Sequence, residues 1–167
     1  TINVTPVNQP PSVTFAQSTV TVLEDAGAQS VSGFATFSPG PANESTQTVS
    51  IVSLVNNNNA LFSVQPAINK SFLFHTGALT FTPALNANGS ATVTVVVQDN
   101  GGTANGGVDK STNTFTINVT PVNQPPSVTF AQSTVTVLED AGAQSFSSFA
   151  TFSPGPANES TQMVRIV

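Results

Sequence analysis

Residues that could carry out chemistry are few in this chain of 167 residues. It contains eight acidic residues, three basic residues, one histidine and no cysteine. The absence of cysteine excludes disulfides, thiolate metal sites and a cysteine nucleophile. His75, the lone histidine, precedes a glycine that predicts a turn, and it supports no Ser/His/Asp arrangement. The sequence therefore offers no recognisable centre for nucleophilic catalysis.

Asp99 and Asp109 flank one glycine-rich loop and could be the paired carboxylates of a glycosidase. Sugars are usually stacked on aromatic rings in such enzymes, whereas this chain has no tryptophan and no tyrosine. We therefore interpret both aspartates as loop residues, and we predict that the chain is not an enzyme.

The chain is organised around a heptapeptide, Thr-Pro-Val-Asn-Gln-Pro-Pro, that occurs at residues 5–11 and again at 120–126. When the chain is shifted by 115 residues, residues 1–52 align with 116–167 and are identical at 48 of 52 positions. Near-identical copies of a domain-sized unit predict a tandem array. The differing pairs are Val31 and Phe146, Gly33 and Ser148, Thr48 and Met163, and Ser50 and Arg165.

The prolines of the heptapeptide predict a short, stiff and extended connector, because proline fixes φ and removes a backbone donor. This divides the chain into three parts. Residues 1–7 hold the last strand of a preceding repeat and a connector, residues 8–122 a complete repeat, and residues 123–167 the N-terminal part of the next repeat. A unit of 115 residues is large enough to bury its own core.

Alternating apolar and β-branched residues predict seven or eight short strands and no helix. The strongest strand predictions are 48–55, 91–98 and 112–120, where valines, Phe115 and Ile117 alternate with polar residues. The other predicted features are strand ends at 2–4, one strand over 13–22, a strand over 29–37 interrupted by Gly33, strands at 61–64, 72–74 and 79–82, and turns at 24–27 and 76–77. We predict an all-β fold: an antiparallel Greek-key β-sandwich that is repeated in tandem.

Low charge is the main compositional feature. Charged residues make up 7% of the chain, whereas Ser, Thr, Asn and Gln supply 68 of 167 residues, a composition that suits a secreted protein. A net charge of −5 with three basic residues argues against nucleic-acid binding. No stretch reaches the roughly 18 apolar residues of a membrane span. We expect an extracellular or cell-surface location, without membrane insertion by this segment.

The segment 82–102, TPALNANGSATVTVVVQDNGG, followed by VTPVNQPP at 119–126, resembles the cadherin-like tandem repeats of large bacterial surface adhesins. The resemblance implies an immunoglobulin-like sandwich, end-to-end packing with neighbouring repeats, and calcium at the junctions. It favours a structural spacer or adhesion repeat that extends a distal adhesive region, with calcium stiffening the junctions between repeats. The alternative is a binding module whose loops, such as 56–59 and 101–110, contact carbohydrate or the repeats of a neighbouring cell.

The same resemblance implies two sets of calcium ligands. Glu24 and Asp25 would act with Asn123 of the connector at one pole, where asparagines 86 and 88 replace expected carboxylates. The equivalent set at the upper pole of the full unit is Asn8, Asn43, Glu44 and Asp99. With two or three carboxylates each, such sites would bind calcium at roughly 10⁻⁴ to 10⁻³ M. Alternatively, these acids are turn residues and the asparagines cap loops.

Residues 123–167 carry the front strands of a sandwich without the partners that residues 53–115 supply in the full unit. Their apolar side chains would be exposed along open strand edges. Because the segment is nearly identical to residues 8–52, it can compete for the same partner strands. We therefore expect association with a second molecule by strand exchange, in a dimer or fibre. The apolar residues concerned are Val135, Val137, Phe146, Phe149 and Phe152.

Overall fold

Two separate groups of strands account for the regular structure of the computed structural model, which describes residues 1–71 and 75–167. The chain divides into a first unit, residues 1–121, and a second unit, residues 122–167. None of the described residues belongs to a helix long and apolar enough to cross a membrane. The strands of the first unit are β1 Ser12–Phe15, β2 Thr19–Leu23, β3 Gln29–Ser38, β4 Val49–Asn56, β5 Phe62–Lys70, β6 Thr76–Pro83, β7 Gly89–Asp99 and β8 Lys110–Thr120.

The first unit consists of two four-stranded sheets in a sandwich-like arrangement. One sheet has the strand order β1-β3-β6-β5 and the other has the order β2-β8-β7-β4. Every described pair in these sheets is antiparallel except β2 with β8, which run parallel with Thr19 opposite Thr116. The prediction of an all-β fold built from antiparallel sheets is therefore confirmed.

The core lies between the two sheets and contains the residues that alternation indicated. Val93, Val95 and Val97 of β7 are fully buried, because the central position of β7 leaves their face covered by the opposite sheet. Three of its rings form a cluster: Phe34 lies 5.4 Å from Phe15 and 4.7 Å from Phe115, measured between centroids. Aliphatic and phenylalanine side chains thus fill the sandwich without tryptophan.

The predicted single strand over residues 13–22 is wrong, because the chain changes sheet within it. β1 pairs with β3 in one sheet, whereas β2 pairs with β8 in the other. Val13 and Val20 are both buried, since the switch between them lets each half turn its apolar face inward. Alternation alone cannot distinguish one long strand from two short strands in facing sheets.

One further detail departs from expectation. The predicted turn at Thr76-Gly77 is wrong, because both residues lie in the central strand β6, where Gly77 pairs with Ala35 and with Lys70. A Cβ at Gly77 would lie 2.6 Å from Ile68 Cγ2, so glycine permits close packing there. The strand expected at 72–74 lies outside the described residues. The interruption at Gly33 is confirmed as a bulge with φ of 62°.

The predicted strand end at residues 2–4 is also absent. Ile2 and Val4 are exposed, whereas their equivalents Ile117 and Val119 are buried in β8. The difference follows from pairing: β8 lies between β2 and β7, but residues 1–11 form no strand.

The second unit contains two described strands, β9 Ser127–Phe130 and β10 Ala150–Ser153, in an antiparallel pair. They reproduce the β1–β3 register, with Phe130 opposite Ala150. Residues equivalent to β2 and β4 form no strand here, because these strands pair with β8 and β7 in the first unit and the second unit holds no counterpart. Val128 is consequently 46% exposed, whereas Val13 is 3% exposed.

Candidate functional site

The upper pole of the first unit is where connector residues Asn8 and Gln9 meet the β3–β4 and β7–β8 loops. Asn8 Nδ2 donates a hydrogen bond to Asp99 Oδ1 at 3.0 Å, and Gln47 Nε2 donates to Asn8 Oδ1 at 2.8 Å. The backbone N–H of Gln9 donates to Glu44 Oε1 at 2.9 Å. The structure thus brings Asn8, Glu44 and Asp99 together, and it adds Gln47 to the predicted set.

Local chain geometry fixes the Glu44 carboxylate. Pro39 and Pro41 enclose Gly40, and the chain then enters a 3-10 turn, Ala42–Glu44. Gly40 has a φ of 145°, and a Cβ at this position would lie only 2.1 Å from Glu44 Oε2. The carboxylate therefore occupies space that any other residue at position 40 would fill.

The β7–β8 loop is fixed by equivalent contacts. Asn8 Nδ2 also donates to the Val108 carbonyl at 2.8 Å, and Val108 N–H donates to the Asn8 carbonyl at 3.0 Å. Asp99 Oδ1 accepts a further bond from Gly101 N–H at 2.9 Å. A Cβ at Gly101 would fall 1.9 Å from Asn8 Oδ1, so this glycine admits the connector amide.

Three oxygen atoms at the upper pole are buried without a hydrogen-bond donor. They are Glu44 Oε2, Asp99 Oδ2 and Gln47 Oε1. Glu44 and Asp99 are each only 5% exposed. A buried carboxylate oxygen without a partner is costly, and a bound cation is one group that would satisfy it. The upper pole is therefore the candidate cation site of this chain.

The donor chemistry of this pole suits a hard cation, although the charge count is low. A cleft of about 250 Å³ is bordered by Asn8, Asn43, Glu44, Gln47 and Gly101. Calcium takes six to eight oxygen ligands, which carboxylates, amide carbonyls, backbone carbonyls and water can supply. Among the described residues, no group of three or more acidic, histidine or cysteine side chains is placed to hold a metal. Two carboxylates with amide oxygens fit a weak site.

The lower pole, where β8 ends at Thr120, gathers the other predicted residues of the first unit. Asn88 Nδ2 donates to Glu24 Oε2 at 3.2 Å, and Asn86 N–H donates to Asp25 Oδ1 at 2.8 Å. Glu24 and Asp25 therefore lie beside the turn that contains Asn86 and Asn88. Here, however, each of these carboxylates accepts a hydrogen bond that joins two turns, and this arrangement favours the turn interpretation over a cation site.

The second unit repeats part of the upper-pole arrangement. Gln124 N–H donates to Glu159 Oε1 at 2.5 Å, and Glu159 is buried like Glu44. A Cβ at Gly155 would lie 2.0 Å from Glu159 Oε2, matching the relation between Gly40 and Glu44. The contact between connector and glutamate therefore forms within the second unit itself, without strands β5–β8. Asn123, which the resemblance grouped with Glu24 and Asp25, belongs to this second unit and is exposed.

The two aspartates that flank the glycine-rich loop both take part in holding it. Asp99 N–H donates to the Asp109 carbonyl at 3.0 Å, and Gln98 Nε2 donates to Asp109 Oδ2 at 2.6 Å. His75 is exposed and has a φ of 50°. Asp99 and Asp109 therefore stabilise the loop, and His75 lies at the surface of the first unit.

The asparagine loop at residues 56–59 is tied down by its own side chains. Asn57 Oδ1 accepts from Thr92 N–H at 2.8 Å, Asn58 Nδ2 donates to the Ser90 carbonyl at 3.2 Å, and Asn56 Nδ2 donates to Gln65 Oε1 at 2.9 Å. The first two of these bonds extend the end of the β4–β7 ladder, and the third joins β4 to β5. Their internal use gives no support to a carbohydrate-binding role.

Sequence reasoning missed Gln9 and Gln47, since neither carries charge. The available signal was position. The pair Asn8-Gln9 recurs as Asn123-Gln124 in the second connector. Gln47 closes the turn that begins at Glu44, since its N–H donates to the Glu44 carbonyl at 2.8 Å. Comparison with known proteins adds no assignment, because no protein-family model and no curated protein matches the chain.

Proposed function

We propose that the first unit is a non-catalytic spacer or adhesion repeat of a large extracellular bacterial surface protein, extending a distal adhesive region. The observation that carries this proposal is the parallel pairing of β2 with β8 in a unit whose connector enters at one pole and whose last strand leaves at the other. This arrangement is suited to bearing tension along the chain.

The mechanical argument follows from strand direction. The entering connector leads through β1 to β2, and β8 leads out at Thr120. Tension pulls β2 and β8 in opposite directions along their shared ladder, which joins Thr19–Leu23 with Thr116–Thr120. A ladder loaded in shear must lose its hydrogen bonds together, whereas a peeled ladder loses them one at a time. The unit should therefore unfold only at high force.

The finer fold assignment belongs to the same proposal. The chain changes sheet between β1 and β2, β2 and β3, β3 and β4, β4 and β5, and β6 and β7. This order supports a Greek-key sandwich of immunoglobulin or cadherin type. The repeated 52-residue segment supports a tandem array of such units.

Calcium is proposed as a weakly bound cofactor of the upper pole. Asn8, Asn43, Glu44 and Asp99, together with Gln47, would hold it. Bound there, a divalent cation would neutralise two buried carboxylates. It would thereby reinforce the hydrogen bonds that already hold the connector to the β3–β4 and β7–β8 loops. Glu24, Asp25 and Asn123 remain the weaker candidates, because Glu24 and Asp25 already accept hydrogen bonds from the asparagine turn.

Force spectroscopy with a matched pair of proline variants tests the spacer function. Ser18 carbonyl and Glu24 N–H both face β8, so the even-numbered residues between them present their backbone groups to β8. Val22→Pro removes a ladder donor and should lower the unfolding force of the first unit. Thr21→Pro, whose N–H faces away from β8, should lower it much less. Equal effects of the two variants, or no effect of either, would contradict the proposal.

We also propose that chains associate through the second unit, by strand exchange or by contact between its apolar faces. Support comes from burial: Phe152 is exposed, whereas its equivalent Phe37 is buried. Such association should depend on protein concentration.

A further inference from the structure

The two strands on one side of the first unit, β4 and β5, each end their sheet among the described strands. An edge strand presents unpaired backbone groups and can pair with an edge of another chain. The risk is large where neighbouring repeats carry nearly the same sequence, because identical edges occur at high local concentration. A second copy of β4 is therefore the partner against which this side must be protected.

β4 is the more vulnerable of the two edges. It is eight residues long, Val49–Asn56, and contains neither a charged residue nor a proline. Val52 and Val55 are 48% and 57% exposed. β5, by contrast, contains Pro66 and two register shifts, which interrupt a continuous edge. β4 has one register shift of its own, between Ile51 and Ser53.

Lys70 connects these edges. It ends β5, and its Nζ donates to the carbonyl of Val49 at the start of β4. The same amine lies 5.5 Å from the centroid of the Phe37 ring, a distance at which a cation is attracted to the ring face. Lys70 thus occupies a carbonyl of the β4 edge and places a positive charge beside it.

We propose that Lys70 is an edge guard, which prevents β4 of one repeat from pairing with β4 of a second copy. Charged residues, and lysine above all, are a common means of protecting exposed edges. The sequence of the second repeat supports this proposal. Arg165 replaces Ser50 in the segment that corresponds to β4, so that segment carries a cation of its own.

The test uses the full chain with a cysteine reporter, since the chain has no cysteine of its own. Val52→Cys places a thiol near the middle of β4, where antiparallel pairing of two copies brings the thiols together. Mild oxidation should give little disulfide-linked dimer from this variant. Adding Lys70→Met, which keeps the aliphatic stem and removes the charge and the donor, should raise the dimer yield several-fold.

Two controls separate edge pairing from other effects. Lys110→Met makes the same change of charge at an exposed lysine of β8 and should leave the dimer yield unchanged. A Thr112→Cys reporter, on the outer face of β8, should not respond to Lys70→Met. Equal yields from Lys70→Met and Lys110→Met would overturn the proposal. If Lys70→Met lowers stability, Lys70→Arg serves as the second variant, because its retained charge should keep the dimer yield low in a folded chain.

Discussion

Calcium should stabilise the first unit, and Glu44 and Asp99 should account for the effect. A ligand that binds only the folded state stabilises by RT ln(1 + [L]/Kd), which gives about 1.4 to 2.7 kcal/mol at ~10 mM calcium for Kd values of ~1 to ~0.1 mM. Unfolding entropy of ~2.1 cal/mol/K per residue then converts this into a rise of about 6 to 11 °C in Tm for a unit of this size.

The assay is thermal unfolding followed by circular dichroism, with calcium and then with chelator. Glu44→Gln and Asp99→Asn keep the side-chain shape, remove the charge at the two buried oxygens, and should abolish most of the shift. Asp109→Asn is the matched control, because it removes one nearby charge whose carboxylate already accepts a hydrogen bond from Gln98. The shift should survive in this variant.

The reasoning would be refuted by a calcium-dependent shift that Glu44→Gln and Asp99→Asn leave intact, since the cation would then be bound elsewhere. Absence of any shift would mean that the buried oxygens of the upper pole are tolerated without a cation. A shift abolished by Glu24→Gln alone would move the site to the lower pole.

The remaining predictions concern the connector contact and association. Gly40→Ala should destabilise the first unit by about 2 kcal/mol or more, because the Cβ would lie 2.1 Å from Glu44 Oε2. Gly33→Ala, also at positive φ but with no atom within 4 Å, should cost about 1 kcal/mol; equal losses in denaturant unfolding would refute the steric argument. The apparent mass in light scattering should rise with concentration and fall to that of a monomer when residues 122–167 are removed.

The sequence was sufficient to predict features that depend on residues close together in the chain. Alternation located β7 and β8, because a strand covered on one face must place every second side chain in the core. Gly33 indicated its bulge, since only a residue without Cβ adopts positive φ easily within a strand. Both features depend on neighbours within a few residues.

Features that depend on distant partners could not be predicted in this way. The division of residues 13–22 between two sheets is decided by β3 and β8, which lie far along the chain. Gly77 reads as a turn residue but is required by the side chains of Ile68 and Phe37 across the sheet. Similarly, Gln47 contributes to the candidate site through its hydrogen bond to Asn8, which lies 39 residues earlier in the chain, so no local pattern could predict it.

The upper pole also determines which part of the connector is held by the unit that follows it. Asn8 and Gln9 are bonded to the loops of the unit that follows them, and Pro11 is fully buried there. Gln124 makes the same contact with Glu159 in the second unit. The latter part of each connector therefore belongs structurally to the following unit, whether or not a cation is bound. Stiffening by calcium would then act mainly by neutralising Glu44 and Asp99, since hydrogen bonds already hold the connector to that unit.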